Sequence, residues 1–352
     1  MGGGWGTDDA GDAPQKSHFT VNVYHGKGVS NVYGGGEYAR GADVTLTATV
    51  KTGFVFEGWY SYESADRYFD ETEDLTIYSI DCDLDVYAIC VGEAVLKPPV
   101  EVYDARWVVE DRYSGKYITT VYGSPTVWDM PSIGAYNFKL TATTADGKAY
   151  SYEDAWYRQG AVRVTYDFTF ENRPWYLWWE ADYLDYAYYK ELETVRHHTN
   201  KAGDAAFVTA TDSLIQEITD AILDGTRDMS KLRRANFILA FVQSLEYEYD
   251  SDGTDYDEYW KYPVETLYEK RGDCEDTAIL YAALMKAAGY DVALINLPGH
   301  EATGIAMPET TIGTYYLKDG KRYYYCETTG TGWKLGDYPP EYRGISATVY
   351  SI

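Results

Sequence analysis

The sequence is poor in cysteine, in histidine and in positive charge. Four cysteines among 352 residues cannot make the dense disulfide framework on which small secreted scaffolds depend, so the fold has to stand on packing. Cys82 and Cys90 are eight positions apart; on one strand rising ~3.3 Å per residue they lie beyond bridging distance, and thiols are expected. No apolar run approaches the ~18 residues of a membrane span. Met1-Gly2-Gly3-Gly4 opens an acidic, glycine-rich stretch with no apolar core of a leader, and is expected to stand in place of one. Lysine and arginine number 30 against 56 aspartates and glutamates, a formal charge of -26, which repels phosphate backbones and anionic lipid. No nucleic-acid partner is expected.

Aromatic residues, by contrast, are abundant: 38 Tyr, 10 Trp and 10 Phe within a hydrophobic share of 45%. That is ample apolar area for ordered cores, and a chain longer than ~250 residues suits two or three of them. Residues 1–17 lack any apolar period and are expected to form a disordered tail. From Phe19 the pattern alternates: Phe19, Val21 and Val23, then Val44, Leu46, Ala48 and Val50 read as half-buried strands. Gly34-Gly35-Gly36, Gly41 and Gly53 supply reversals between them.

Over residues 18–92 the carried pattern is Gly36-x-Tyr38-x-x-Gly41-x-x-Val44-x-Leu46-x-Ala48, then Gly53-Phe54-x-Phe56-x-Gly58-Trp59, then Asp85-Val86-Tyr87-Ala88. It resembles one Listeria-Bacteroides type surface repeat, also met as the internalin B-repeat. The resemblance implies an exported prokaryotic protein working outside the cell or at its surface. Trp59 and the two phenylalanines are read as filling the repeat's small core rather than as a ligand site.

Lys97-Pro98-Pro99 is a stiff break and the expected first boundary. Residues 97–172 carry short alternating runs such as Trp107-Val108, Phe138-x-Leu140, Val162-x-Val164 and Phe168-x-Phe170, expected to form a β-sandwich-like connector. Trp175, Trp178, Trp179, Tyr183, Tyr186, Tyr188 and Tyr189 follow; the expectation is interdomain packing rather than a sugar or peptide platform. His197 and His198 diverge as neighbours and are read as exposed side chains, not metal ligands.

Beyond Phe207 the period becomes helical: Leu214, Ile218, Ala221 and Ile222 mark one helix, and Ala235, Ile238, Leu239, Val242 and Leu245 another. Arg271-Gly272-Asp273-Cys274-Glu275-Asp276 then stands before a strong helix former that runs to Gly289. Asp273 suits the N-cap, with Asp276 three positions on completing a variant capping box. Cys274 becomes the first helical residue, where the helix dipole and backbone N–H groups favour thiolate; Asp273 and Glu275 oppose it. His300 is the only histidine after His198, set after the turn signal Pro298-Gly299, and Tyr323 to Cys326 reads as a strand leading to Glu327 and a turn at Gly330. A thiol, a base and an acid occur in that order.

The segments Tyr262-Pro263-Val264-Glu265-Thr266-Leu267, Gly272-Asp273-Cys274-Glu275-Asp276, Pro298-Gly299-His300 and Glu327-Thr328-Thr329-Gly330 resemble a transglutaminase-like, papain-related cysteine domain of the archaeal and bacterial branch, covering roughly 165–352. The resemblance implies Cys274 as nucleophile, His300 as general base and Glu327 as the acid orienting the imidazole. Where the family more often has Asp, this chain has Glu, one methylene longer. Gln243, among apolar positions of its helix, is read either as an oxyanion donor beside the Cys274 backbone N–H or as an amide satisfied by local backbone. The acids at 250–258 have spacings similar to a calcium loop without its terminal bidentate Glu, and are read as a solvated acidic loop. No cofactor and no metal are expected.

The expected whole is multidomain α+β: a tail at 1–17, a β-rich repeat module at 18–96, a β-sandwich-like connector at 97–172 and a thiol domain at 173–352, with its cysteine helix packed on an antiparallel sheet. The expected activity is acyl transfer through a thioester on Cys274, hydrolysing a peptide or isopeptide bond in a protein, a peptide or a cell-surface polymer. Two other readings stay open, namely amide cross-linking by an amine acceptor and a non-catalytic surface-binding module on the same fold.

Overall fold

The computed structural model describes residues 16–52, 54–61, 68–196, 201–250 and 259–352. The expected tail up to residue 15, the turn at Gly53, the His197-His198 pair and the acidic stretch beyond Asp250 therefore lie outside the described residues. The architecture is α+β, and the chain divides into two compact units, Met1–Gln159 and Gly160–Ile352.

Unit 1 begins with β1 (His18–His25), β2 (Val29–Tyr33), β3 (Gly36–Ala39), β4 (Val44–Val50), β5 (Phe56–Tyr60), β6 (Tyr68–Asp70), β7 (Asp74–Ile77) and β8 (Leu84–Cys90). They form a five-stranded sheet in the order β3-β1-β8-β5-β6 and a three-stranded sheet in the order β2-β4-β7. The alternation read from the sequence puts Val21, Leu46 and Val86 in one core with the fully buried Trp59. The Trp59 indole donates to the Thr72 carbonyl at 3.0 Å, and Phe56 meets it edge-on at 5.8 Å. Phe54 departs from the expected pair and is 46% exposed.

A second core in the same unit uses β9 (Glu93–Leu96), β10 (Val102–Asp111), β11 (Tyr117–Tyr122), β12 (Thr126–Asp129), β13 (Gly134–Thr144) and β14 (Ala149–Arg158). The four-stranded sheet β11-β10-β13-β14 and the pair β12-β9 bury Leu96, Trp107, Phe138 and Leu140 between them. The expected boundaries shift at both ends. β9 precedes the Lys97-Pro98-Pro99 break yet pairs with β12, so the prolines join two layers of one module instead of separating modules. At the far end Val164, Phe168 and Phe170 belong to the core of unit 2, because their strand pairs forward with residues 173–182.

Unit 2 opens with that hairpin, β15 (Ala161–Phe170) and β16 (Arg173–Asp182), closed by Glu171 and Asn172, both at positive φ. Two left-handed residues give the turn whose twist matches paired strands. Odd positions of β16 face inward: Trp175 meets Phe237 at 4.9 Å and Trp179 stacks on Tyr166 at 4.9 Å. The aromatic cluster thus packs within unit 2, contrary to the interdomain expectation, with Tyr176, Trp178 and Tyr188 left exposed.

The helices are α1 (Tyr183–Glu191), α2 (Ser213–Gly225), α3 (Lys231–Val242), α4 (Pro263–Glu269) and α5 (Cys274–Ala287). Asp182, Asp212, Ser230 and Asp273 cap α1, α2, α3 and α5 with side-chain oxygens. Helix α5 is apolar nearly all round, and Ile279, Leu280, Ala282, Ala283, Leu284 and Met285 are fully buried, which marks a central helix. It packs against α2, α3, α4, β19 (Val292–Leu297) and β20 (His300–Ala306). With β21 (Tyr315–Lys318), β22 (Lys321–Cys326) and β23 (Thr348–Ser351) those strands form the antiparallel sheet β21-β22-β20-β19-β23. Short strands β17 (Glu246–Tyr247) and β18 (Arg271–Gly272) pair in parallel beside the start of α5.

Candidate active site

The start of α5 follows from its capping chemistry. Asp273 holds an extended backbone, and its Oδ1 accepts from the Glu275 N–H at 3.1 Å and the Asp276 N–H at 3.2 Å. The reciprocal half of the expected capping box is replaced by another partner: Asp276 Oδ1 accepts from the Lys261 N–H at 2.8 Å. At the far end Gly289 takes φ 81, the left-handed position that a helix exit favours. Cys274 is the first helical residue and is 8% exposed.

His300 opens β20. Leu297 pairs with it across Pro298-Gly299, and Gly299 takes φ 70, so this two-residue turn sets the imidazole at the sheet end nearest the helix start. Glu327 directly follows β22, which neighbours β20 through the Thr303 to Cys326 pair. The two side chains meet: His300 Nε2 lies 3.0 Å from Glu327 Oε2. Ionised carboxylate oxygens only accept, so Nε2 carries the proton and Nδ1 is the basic nitrogen of the neutral ring. Glu327 Oε2 also accepts from the Tyr325 hydroxyl at 2.7 Å, and Oε1 accepts from the Thr329 N–H at 3.0 Å and its hydroxyl at 2.6 Å. Burial alone raises this carboxyl, but the hydrogen bond and charge of His300, with the Thr329 donors, outweigh it and hold the group below its ordinary range.

Cys274 sits at the entrance to the same strand, with the backbone N–H of Glu301 pointing at its sulfur. Its thiol donates to Glu275 Oε2 at 2.8 Å. Burial, then the charges of Glu275 and Asp273, push the thiol well above its ordinary range, against the pull of the Glu301 N–H. In this arrangement the sulfur faces Glu275, whose charge disfavours thiolate. Helix and acid loop are also tied directly. The Thr277 hydroxyl donates to the Asp273 carbonyl at 2.7 Å and meets the Thr328 hydroxyl at 3.0 Å. Thr303 on β20 bonds the Ala278 carbonyl at 2.8 Å.

Gln243, at the C-terminus of α3, has its amide engaged on every side. Nε2 donates to the carbonyls of Glu327 at 2.7 Å and Trp333 at 3.1 Å, and Oε1 accepts from the Gly332 N–H at 3.1 Å. The amide is satisfied by backbone, but by that of residues 327–333, far along the chain, and not by the local backbone expected from sequence. The oxyanion reading is corrected, because no amide hydrogen is left to aim at substrate. The residue anchors the loop after Glu327.

Behind the cysteine lies a buried ionic chain. Lys261 Nζ is 3.4 Å from Asp276 Oδ2 and 3.3 Å from Glu269 Oε2; Lys190 is 2.8 Å from Glu269, and Arg196 is 2.5 Å from Glu265. Among the described residues, Asp250, Asp273 and Asp276 could hold a cation, with one oxygen from each inside 4.8 Å. Burial raises both the Asp273 and Asp276 carboxyls; neighbouring acids add to this, and Lys261 counters it at Asp276. All four cysteines are thiols, with Cys82 exposed and Cys90, Cys274 and Cys326 buried.

Sequence reasoning missed Tyr342, whose ring lies parallel to the His300 imidazole at 4.9 Å and 5°. It also missed Lys261 and the Thr277 to Thr328 tie. The one local signal was Pro339-Pro340 before Tyr342, which sets a short 3-10 turn at Pro340–Tyr342.

Residues 216–321 match the model of the transglutaminase-like superfamily, and residues 19–80 match the divergent InlB B-repeat domain. No curated protein matches the chain. Among solved structures, EGTA-treated LapG of Legionella pneumophila is 15% identical, over 40% of this chain and 84% of that one, with a TM-score of 0.28. A candidate cysteine protease from Cytophaga hutchinsonii is 13% identical over 73% and 78%, TM-score 0.26. A candidate protease from Parabacteroides distasonis is 13% identical over 95% and 69%, TM-score 0.26. Scores of that size leave the functional argument to the site itself.

Proposed function

From the premise that residues 216–321 carry a transglutaminase-like domain, we propose that this chain is an exported, cysteine-dependent acyl-transfer enzyme that hydrolyses peptide or isopeptide bonds through a thioester on Cys274. The observation that supports the reading is the 3.0 Å contact of His300 Nε2 with a multiply bonded Glu327, beside the backbone N–H that Glu301, the residue after His300, directs at the Cys274 sulfur. The repeat matched at 19–80 supports a surface setting.

The reaction runs as follows. The thiol proton moves to His300 Nδ1, and the sulfur attacks the carbonyl carbon. The resulting oxyanion takes the Cys274 backbone N–H, which has no intrahelical acceptor in the first turn of α5. Imidazolium then gives its proton to the departing amine as the C–N bond breaks, leaving the thioester. Water attacks with His300 again accepting a proton, and the acid leaves as the thiol is restored. Glu327 holds the ring in the required tautomer throughout.

The test is incubation of the full chain with an unfolded protein mixture and a fluorescent primary amine. New amino termini, absent with Cys274→Ser and with His300→Ala, support hydrolysis. Amine incorporation without new termini would replace hydrolysis by cross-linking. Binding that survives Cys274→Ser with no turnover at all would make the domain a scaffold.

A further inference from the structure

We propose that Tyr342 is a positioning residue for His300: its ring fixes the plane of the imidazole and stabilises the imidazolium that forms when the thiol proton moves. The inference deepens the reading above and rests on it.

Tyr342 is held in place by the tyrosines around it. Its carbonyl accepts from the Tyr338 hydroxyl at 2.8 Å, and that hydroxyl also meets the Tyr316 hydroxyl of β21 at 2.8 Å. Tyr338 packs edge-on against Tyr325 at 4.8 Å, and Tyr325 donates to the Glu327 oxygen that faces His300. The contacts close a circuit from His300 through Glu327, Tyr325, Tyr338 and Tyr342 back to His300. One face of the imidazole is therefore covered by an aromatic ring anchored to the same strand that anchors its carboxylate.

An aromatic face carries partial negative charge, and a cation stacked on it is favoured over the neutral ring. The imidazolium state gains more from that contact than the neutral ring does, so the difference acts at the moment of proton transfer. Titratable groups that face the stacked pair are Glu327, directly after β22, Cys274 from α5, and Glu341 and Tyr338 beside Tyr342; Glu301 is next along β20, with its Oε2 3.4 Å from Asn296 Nδ2. Glu327 touches the same ring at 3.0 Å, so its contribution and that of Tyr342 have to be separated by experiment.

The readout is the iodoacetamide alkylation rate of Cys274 in a Cys82→Ser background, followed across pH. An imidazolium partner keeps thiolate available in acid, so Tyr342→Leu is expected to slow alkylation about tenfold at about pH 6 and by less than about twofold at about pH 9. Tyr342→Phe keeps the ring and is expected to restore the wild-type profile. In a His300→Ala background Tyr342→Leu is expected to change nothing further. Parallel loss at both pH values, or a Phe variant as slow as Leu, overturns the proposal. A His300→Ala variant with a wild-type profile would instead sink the proposed base, so the two failures are distinguishable. Should Tyr342→Leu not fold, Tyr338→Phe removes the hydroxyl bonded to the Tyr342 carbonyl, and an unchanged profile there would equally overturn it.

Discussion

At the scale of single residues, the sulfur of Cys274 faces competing neighbours. Glu275 accepts the thiol hydrogen at 2.8 Å, and its charge, after burial, is the largest contribution that keeps the thiol protonated. Replacing that carboxylate with an uncharged amide of the same shape should raise the thiolate fraction. Glu275→Gln is expected to speed iodoacetamide alkylation of Cys274 at neutral pH by about tenfold, the equivalent of about one pKa unit; an unchanged rate would mean that burial alone sets the reactivity. Cys82 must be removed first, since it is exposed. A second residue-scale prediction lies in unit 1. Burial pushes the Glu57 carboxyl up to about 7, against hydrogen bonds from Tyr60 and the Gly92 N–H. The folded chain therefore keeps a proton that the unfolded chain has already released, so the stabilisation is complete below the unfolded value and fades as pH rises to about 7. Glu57→Gln should flatten that decline and leave the variant more stable at about pH 8 by about 1 kcal/mol, allowing for partial exposure. Hydrogen exchange of the β8 amides measures it, and a variant that keeps the wild-type slope would remove Glu57 from the account.

At the scale of elements, the position of the thiol depends on how closely β18 approaches α5. A Cβ added to Gly272 would stand 2.6 Å from the Asp276 Cβ, and neither atom can move without moving its backbone. Gly272→Ala should push the first turn of α5 away from β18, and is expected to lower Cys274 alkylation and any turnover about tenfold or more at a cost of about 1–3 kcal/mol in stability. Wild-type alkylation with unchanged stability would show that the contact relaxes freely. Asp273→Asn should keep the cap, whereas Asp273→Ala loses about 1 kcal/mol. These elements were legible in the sequence because their signals are local: an N-cap three residues before an acid, a Pro-Gly turn between paired strands, apolar spacing on α2 and α3. What was not legible depended on long-range pairing. Alternation declares Val162 to Phe170 a strand but not which core it joins, and β9 finds its partner in β12 across about thirty residues of chain. The residue stacked on His300 comes from Tyr342, brought in by the segment that leads to β23. No motif links those two positions, since ring stacking imposes no spacing along the chain.

At the scale of the whole molecule, the chain carries a formal charge of -26, and the candidate site is itself rich in acids. Glu246 is exposed on β17, and Glu248 pairs with Arg271 at 3.0 Å, both close in sequence to Tyr247, whose hydroxyl is pushed above its ordinary range by burial and then by the charges of Cys274 and Asp273. Anything approaching the sulfur crosses a negative potential that extends about 10 Å at about 0.1 M salt. The field should favour cationic substrates and slow anionic ones, and two reagents of similar size and mechanism separate this from local geometry. Neutral iodoacetamide and anionic iodoacetate attack the same thiolate, so their rate ratio at Cys274 reports the potential there. The ratio is expected to exceed about tenfold in low salt and to shrink several-fold as ionic strength rises to about 0.5 M, because exposed charges are screened while buried ones are not. A large ratio that salt leaves untouched would assign the discrimination to Glu275 at contact distance. A ratio near that of a small thiol in water would mean that neither the field nor Glu275 filters what reaches the sulfur, and charge would then have no part in selecting the substrate.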